Sequence, residues 1–404
     1  MSKPTGSRRE GVFADNRKLA IHRWYPFIEG YSSYLVQRAL DEHAGATSIF
    51  DPFSGSGTTA LTAAMRGRPS TFTEVNPYLA WVAQVKTQAS RFVEPSELDR
   101  IVEIVHKAAS YPWSPKRDDD SLMTLIKRRD YFNTDNLSVI IGTLDVIDQE
   151  LDEWAKDLAR LAVASSLVPS SNMMRRTDLR RRTPKDQRPT DFATEVSQRI
   201  SEIVDDVRTV AHEITASPRC IGTNALEPYD DHDPFDLIIT SPPYLNGTNY
   251  CRNTKLELLM LGFMQSEKEL ELLRPAMVTA GINNVSKANR APDDIESIHE
   301  TVAQLESATY DQRVPKMVTR YFSDMKMVLS RLNAESVPGA TLWLDIGDSK
   351  YSGVHVKTDK LLVDVASTVG WDHVETEELR TRRSYDGTTL SQVLLKFKKG
   401  SDLE

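Results

Sequence analysis

The stretch that most constrains this chain is Phe235-Asp-Leu-Ile-Ile-Thr-Ser-Pro-Pro-Tyr244. Phe235 to Thr240 is a short apolar run rich in β-branched residues, the pattern of a central strand in a parallel sheet. Two consecutive prolines then end it, because proline lacks an N–H and has a fixed φ. A rigid polar-aromatic loop, Ser241-Pro242-Pro243-Tyr244, is therefore expected at the carboxyl end of a strand, where α/β sheets gather their ligands. Alone, the segment also fits a proline-stiffened turn behind a core strand, so the rest of the chain has to decide.

A second strand–turn–helix unit lies upstream, in Ser48-Ile-Phe-Asp-Pro-Phe-Ser-Gly-Ser-Gly-Thr-Thr59. Ile49 and Phe50 end a strand, Gly55 and Gly57 permit a tight turn, and Thr58 or Thr59 is expected to cap a helix running through Met65 to Gly67. Such a turn aims backbone N–H groups at one point and forms a cradle for anionic ligands. A following strand, Ser70 to Val75, puts Glu74 at its tip, 17 residues after Gly57. An acidic residue so placed accepts hydrogen bonds from ribose hydroxyls, so the unit predicts a nucleoside site.

Composition narrows the class. With 404 residues, 40% hydrophobic and 27% charged, the chain is an ordinary globular protein of two domains, or of one domain with insertions. No apolar run approaches the roughly 20 residues of a membrane span, and the N-terminus lacks a signal-peptide core. Two cysteines, Cys220 and Cys251, give neither a disulfide framework nor a zinc pattern, which suits a reducing cytoplasm. The eight histidines form no HxxxH pair, so no metal is expected. A net charge of −8 argues against a uniformly positive surface but leaves room for a local basic face. One such face is the stretch 175–188, where Arg175, Arg176, Arg180, Arg181, Arg182, Lys185 and Arg188 outnumber Asp178 and Asp186.

In chain order, residues 1–20 read as a loose polar arm. A short helix follows, capped by Ser32 or Ser33, with Tyr34, Leu35, Ala39 and Leu40 on one face. The preceding aromatics Trp24, Tyr25, Phe27 and Tyr31 could pack over the sheet or hold a ligand. From Phe92 to Ser217 the periodicity is helical with no strand pattern, interrupted by the polar 175–188 loop. Strand patterning resumes near Arg219 and again at Asp236. A helix is expected over Val314–Leu332, a strand over Ala340–Gly347 and a helix over Thr358–Val369. Two alternating strands, His373–Leu379 and Ser391–Lys398, turn at Asp386-Gly387. The fold expected is α/β, a Rossmann-like sheet, mostly parallel with an antiparallel last strand. The sheet would be built from 1–91 with 219–404, and 92–218 would be a helical insertion.

Asp51-Pro-Phe-Ser-Gly-Ser-Gly-Thr-Thr59 resembles the S-adenosylmethionine loop of amino-directed DNA methyltransferases, and Thr240-Ser-Pro-Pro-Tyr244 resembles their catalytic motif in its cytosine-N4 form. Gly353-Val-His-Val-Lys-Thr-Asp359 looks like a further family segment. The resemblance implies that Phe53, Ser54, Gly55 and Gly57 surround the methionine end of S-adenosylmethionine, with Thr58 and Thr59 beside them. Asp51 would orient that loop or approach the cofactor amine, Glu74 would hold the ribose, and Tyr31 and Ser32 would close over the methionine end. Asn224 stands where the family commonly has Asp near the adenine.

The implied activity is methyl transfer to the N4 amine of cytosine in duplex DNA, in restriction–modification or phage defence. It would run in a prokaryotic cytoplasm, alongside a possible cognate restriction endonuclease. Ser241 and the Pro242 carbonyl would hold the amine, Pro243 would stiffen the loop, and Tyr244 would stack on the extruded base. Adenine-N6 methylation uses the same geometry, with an acidic residue usual in place of Ser241. RNA methylation and a non-catalytic binding role are the other readings. Neither cysteine has the Pro-Cys context that C5 methylation requires. The resemblance makes 1–91 with 219–404 the catalytic domain, and target recognition is expected from one of two insertions, 92–218 or 246–312. DNA contacts are expected from the 175–188 cluster and from Asn249, Tyr250, Arg252 and Lys255 after the catalytic loop.

Overall fold

A computed structural model describes residues 10–27, 30–111, 126–176, 178–246, 250–285, 291–383 and 387–400. Its strands, in chain order, are β1 (Ile49–Asp51), β2 (Ser70–Phe72), β3 (Met173–Arg175), β4 (Leu179–Arg181), β5 (Arg219–Cys220), β6 (Phe235–Thr240), β7 (Ser336–Gly347), β8 (Ser349–Tyr351), β9 (Val354–Val356), β10 (Trp371–Arg383) and β11 (Thr389–Lys399). Seven of them make one sheet in the order β10-β11-β7-β6-β1-β2-β5. β2, β1, β6 and β7 pair in parallel, as does β5 with β2. β11 lies antiparallel between β7 and β10. This is the mostly parallel Rossmann-like sheet expected from the patterning.

The apolar run of β6 is buried on both faces because helices cover both. Ile238 faces a cluster with Phe50, Leu342 and the Arg313–Ala334 helix, through Val318, Phe322 and Met325. Leu237 and Ile239, one step out of phase, face Ile49 and the Ser33–Glu42 helix through Leu35, Val36 and Ala39. That period of two in a doubly covered strand is the reason Leu237, Ile238 and Ile239 are apolar in succession. After β1 the chain crosses to β2 and β5 on one side, then returns to β6 on the other. The carboxyl ends of β1 and β6 therefore flank a switch point, where a crevice opens.

Several expectations need correction. Residues 10–20 are not a loose arm: Phe13 is buried in a short 3₁₀ helix, Phe13–Lys18. Asn16 Nδ2 donates to the Tyr31 carbonyl at 3.0 Å, and Asn16 Oδ1 accepts from the Ser33 amide at 2.9 Å. Ser32 is the helix cap, accepting from the Tyr34 amide. Neither threonine caps the second helix. Gly57 is its N-cap, in the left-handed region at φ 83°, and Thr58 and Thr59 lie inside the first turn.

The 92–218 region holds the helices Glu97–Ser110, Thr134–Glu150, Glu153–Leu167 and Phe192–Val210. It also contains the β3–β4 hairpin, where a polar loop was expected. Three-residue strands are too short to show an alternating pattern, and their arginines hid them. These helices share one hydrophobic core with Tyr78, Leu79 and Val82 of the Pro77–Gln84 helix. That helix continues into a π-helical turn, Val85–Ala89, that the periodicity did not predict. The Gly353–Asp359 segment forms much of the small β8–β9 hairpin and the start of the next helix. The Asp386 turn lies outside the described residues. Among the described residues, no helix is long and apolar enough to cross a membrane, and no His, Cys, Asp and Glu group could hold a metal ion.

Candidate active site

The crevice is organised by a buried carboxylate at the tip of β1. Asp51 Oδ1 accepts from the Phe53 amide at 3.0 Å and from Thr240 Oγ1, the last residue of β6, at 2.7 Å. Its Oδ2 accepts from the Tyr31 hydroxyl at 2.7 Å. One side chain thus ties together the glycine loop, the catalytic-type strand and the N-terminal aromatic segment. Burial pushes its pKa upward against the hydrogen bonds that favour the ionised form.

The glycine turn is held just as tightly. The Gly57 amide donates to the Ser54 carbonyl at 2.9 Å, and the Gly55 amide to Glu74 Oε2 at 2.7 Å. Glu74 Oε1 accepts from the Asn76 amide at 2.9 Å. A Cβ on Gly55 would sit 2.7 Å from the Phe27 ring, and one on Gly57 would sit 2.8 Å from Ala83 Cβ. Both glycines are required by close approach. From below, Lys86 in the π-helical turn donates to the Ser56 carbonyl at 3.2 Å and the His22 carbonyl at 3.3 Å. Burial lowers the Lys86 pKa to about 7.

The apolar cleft between these tips brings together ten of the residues singled out in the sequence. These are Tyr31, Phe53, Ser54, Gly55, Thr58, Glu74, Asn224, Ser241, Pro242 and Pro243. Ser32, Asp51, Gly57 and Thr59 stand behind that lining and hold it in place. Ser54 Oγ is buried at the cleft without a hydrogen-bond partner among the described residues. Burial raises the Glu74 carboxyl to about 7. Asn224 Oδ1 is occupied, accepting from the amides of Leu226 at 2.9 Å and Glu227 at 3.0 Å. Its amide nitrogen is the group it can offer to a ligand.

Tyr244 does not line the cleft. Its hydroxyl meets Gln392 Nε2 at 2.8 Å, and the same nitrogen lies 2.7 Å from Asp345 Oδ1. The Tyr244 hydroxyl also hydrogen-bonds Asp345, whose carboxyl burial pushes up to about 7. The ring lies against Gly347, where a Cβ would come within 3.2 Å. The tyrosine is thus clamped by β7 and β11, an arrangement no local pattern could reveal.

Sequence reasoning passed over several lining residues. Val75, Asn76, Leu79, Ala225 and Leu226 close the pocket from one side, and Cys251 with Ala276–Val278 from the other. Apart from Asn76, which caps the Pro77–Gln84 helix, they are apolar or small and carry no motif, so only the fold recruits them. Phe27, read in the sequence as core or ligand support, lines the cleft. Burial drives the Cys251 thiol up to about 12, so it is protonated and no nucleophile.

The candidate nucleic-acid residues fall elsewhere and are differently engaged. Arg175 is turned inward: it pairs with the fully buried Glu257 and donates to the Tyr25 hydroxyl at 2.7 Å and the Asn253 carbonyl at 2.9 Å. Arg182 donates to the carbonyls of Ser171, Gln187, Val168 and Pro169. Arg180 clasps Asp186 through two 2.9 Å bonds, and Arg181 pairs with Asp130 at 2.8 Å. Arg176 and Lys185 are exposed. Arg252 bridges to Asp178 at 3.0 Å, and Lys255 pairs with Glu267 at 2.9 Å over the Tyr131 ring. Asn249 and the Tyr250 side chain lie outside the described residues.

Comparison with known proteins finds relatives among methyltransferases. The chain is 25% identical to the Type II methyltransferase M.BsoBI of Geobacillus stearothermophilus, over 94% of its own length and 84% of that protein's. It is 24% identical to the Type II methyltransferase M.AvaI of Nostoc sp., over 91% and 82%. The solved structure of a SAM-dependent methyltransferase from Methanosarcina mazei aligns over 88% of this chain and 93% of its own. At 8% identity and a TM-score of 0.31 it carries no weight here. No protein-family model matches. The chain is similar over nearly its whole length to Type II methyltransferases.

Proposed function

We propose that the chain is a DNA methyltransferase that transfers a methyl group from S-adenosylmethionine to the exocyclic N4 amine of cytosine in duplex DNA, as the modifying half of a restriction–modification system. The observation that carries this reading is the shared cleft. Ser241-Pro242-Pro243 and the Phe53–Thr58 turn face one another across the β1/β6 switch point, so an amine on one wall meets a donor on the other. The similarity to two Type II methyltransferases supports the same reading.

The residues present fit S-adenosylmethionine. The unpartnered Ser54 hydroxyl suits the polar methionine end, and Glu74 is a carboxylate at the tip of β2 suited to ribose hydroxyls. The Asn224 amide and the apolar Ala225, Leu226 and Val75 suit a purine. To accept a ribose, Glu74 must yield or share its Gly55 contact. When bound, the cofactor supplies an electrophilic methyl group.

The rest of the chemistry is positioning. The cytosine amine is conjugated and a poor nucleophile. Ser241 Oγ and the Pro242 carbonyl accept its N–H bonds and turn its lone pair into the cleft, while Pro243 keeps that pair of acceptors rigid. Serine is too weak a base to deprotonate the amine first, so the proton departs after transfer. Tyr244, clamped by Asp345 and Gln392 outside the cleft lining, meets a base swung out of the duplex as that base approaches Ser241-Pro242-Pro243. Arg252 and Lys255, on the segment after the catalytic loop, contact the backbone beside that base.

Mass spectrometry of nucleosides from the DNA of a methylase-free host expressing the chain tests the reading directly. N4-methylcytosine is expected. N6-methyladenine would move the target to adenine, and an unmodified genome alongside methylated RNA would overturn the DNA assignment.

A further inference from the structure

We propose that the cleft between the Arg313–Ala334 helix and the 274–285 stretch is the main track for the DNA phosphate backbone, ahead of the arginine-rich hairpin that the sequence suggests. This rests on the DNA methyltransferase reading above and names the surface that reading leaves open.

Arg313, Lys316 and Arg320 recur at i, i+3 and i+7, so they share one face of their helix. The opposite face, with Met317, Val318 and Tyr321, is buried against the sheet. Across the cleft stands Arg274, from the short turn after the Glu269–Leu273 helix. Four cations thus converge from two elements 40 residues apart, against one acid, Glu306, in a chain of net charge −8.

Position decides what that charge is for. Arg274 also lines a second hollow in which four cations, with Arg129, Arg252 and Lys255, outnumber two acids, Glu267 and Glu271. That hollow shares Cys251 with the cofactor cleft. Arg274 is two residues from Ala276, where the cleft wall begins. A basic path therefore runs from the segment after the catalytic loop, past the mouth of the cleft, into the helix-lined groove. A duplex lying along it would place a base over Ser241.

The engagement of the side chains fits the same assignment. Lys316 is exposed, and the pairs made by Arg313 with Asp311 and by Arg274 with Glu271 are surface contacts that a phosphate can displace. Arg175 and Arg182 of the hairpin hold buried carboxylate and carbonyl partners, which cannot be released without loosening the fold.

Phosphate contacts release counterions, so each one lost lowers the slope of log K against log salt by about 1. The test measures binding of the full-length chain to a mixed-sequence duplex by fluorescence anisotropy at several salt concentrations. The Lys316→Glu/Arg320→Glu double variant should bind at least about tenfold more weakly at low salt, with a slope shallower by about 2. Its S-adenosylmethionine affinity, by calorimetry, should match the parent's, showing that the fold is intact. The same charge change on the insertion, Lys185→Glu/Arg188→Glu, should move DNA affinity far less. Equal losses from the two variants, or no loss from the first, would overturn the groove. A parent that binds cofactor but no duplex would overturn both this and the activity it rests on. Tighter binding of an RNA hairpin through Lys316 and Arg320 would overturn the duplex assignment alone.

Discussion

The glycine loop with Ser-Pro-Pro-Tyr, and the arginine-rich hairpin β3–β4, both stand out in the sequence, and the fold uses them in opposite ways. At the β1/β6 crevice, buried acceptors such as Asp51 and Glu74 are consumed in shaping backbone turns, and the turns then present Ser54, Ser241 and Pro242 to an open cleft. In the hairpin most of the arginines are themselves consumed. Arg175 neutralises the buried Glu257, Arg180 clasps Asp186, and Arg182 satisfies four carbonyls of the insertion. A motif whose function lies in backbone geometry keeps that function wherever the turn forms. A cluster of long cationic side chains has no fixed meaning until its partners are known.

Mutation can break that contrast. Arg175→Ala should be the most costly, destabilising the protein by about 3–5 kcal/mol in denaturant unfolding, because it strands Glu257 without a counter-charge. Arg175→Lys should recover only part of this, since lysine cannot reach Glu257, Tyr25 and the Asn253 carbonyl together. A stability near the parent's for Arg175→Ala would return the hairpin to the list of surfaces free for DNA. On the crevice side, Ser241→Ala should lower turnover by about 10²–10³ while leaving cofactor affinity within reach of the parent's. Single-turnover kinetics with calorimetry separate the two, and parental turnover would sink the catalytic assignment.

Gly57→Ala should cost about 1–3 kcal/mol of stability, from a left-handed φ and a contact with Ala83, and should weaken cofactor binding with it. A pH dependence is expected at Asp345. Its carboxyl is raised from the ordinary range near 4 to about 7 in the folded chain, so the folded state binds the extra proton. Its contribution to stability is present at acid pH and declines as pH rises from about 4 to 7. Asp345→Asn should flatten the parent's stability profile across that window, and an unchanged slope would remove Asp345 from the Tyr244 clamp. At the bottom of the scale, Arg181→Ala breaks an exposed pair with Asp130 and should shift stability by about 0–1 kcal/mol.

Much of the architecture was legible because it is written in short-range pattern. The doubly buried β6, its proline stop, the two glycines and the acidic tip at Glu74 each follow from local sterics and periodicity. Together they located the crevice. Local pattern failed where a residue's role depends on what meets it. The supposed loose arm is pinned by Asn16 against Tyr31, and a three-residue hairpin strand leaves no alternation to read. The threonines expected to cap a helix yielded to Gly57, because the turn needs a positive φ more than a side-chain oxygen.

The sequence by itself determined the sheet, the crevice and the two motifs that face each other across it, since backbone dihedral limits and hydrophobic period act within a few residues. Tertiary structure alone decided the rest. It clamps Tyr244 through Asp345 and Gln392, strands that pair only after more than 40 residues of chain have folded back. It also turns Arg175 inward while leaving Lys316 outward, because the cost of burying a charge depends on whether distant chain brings it a partner.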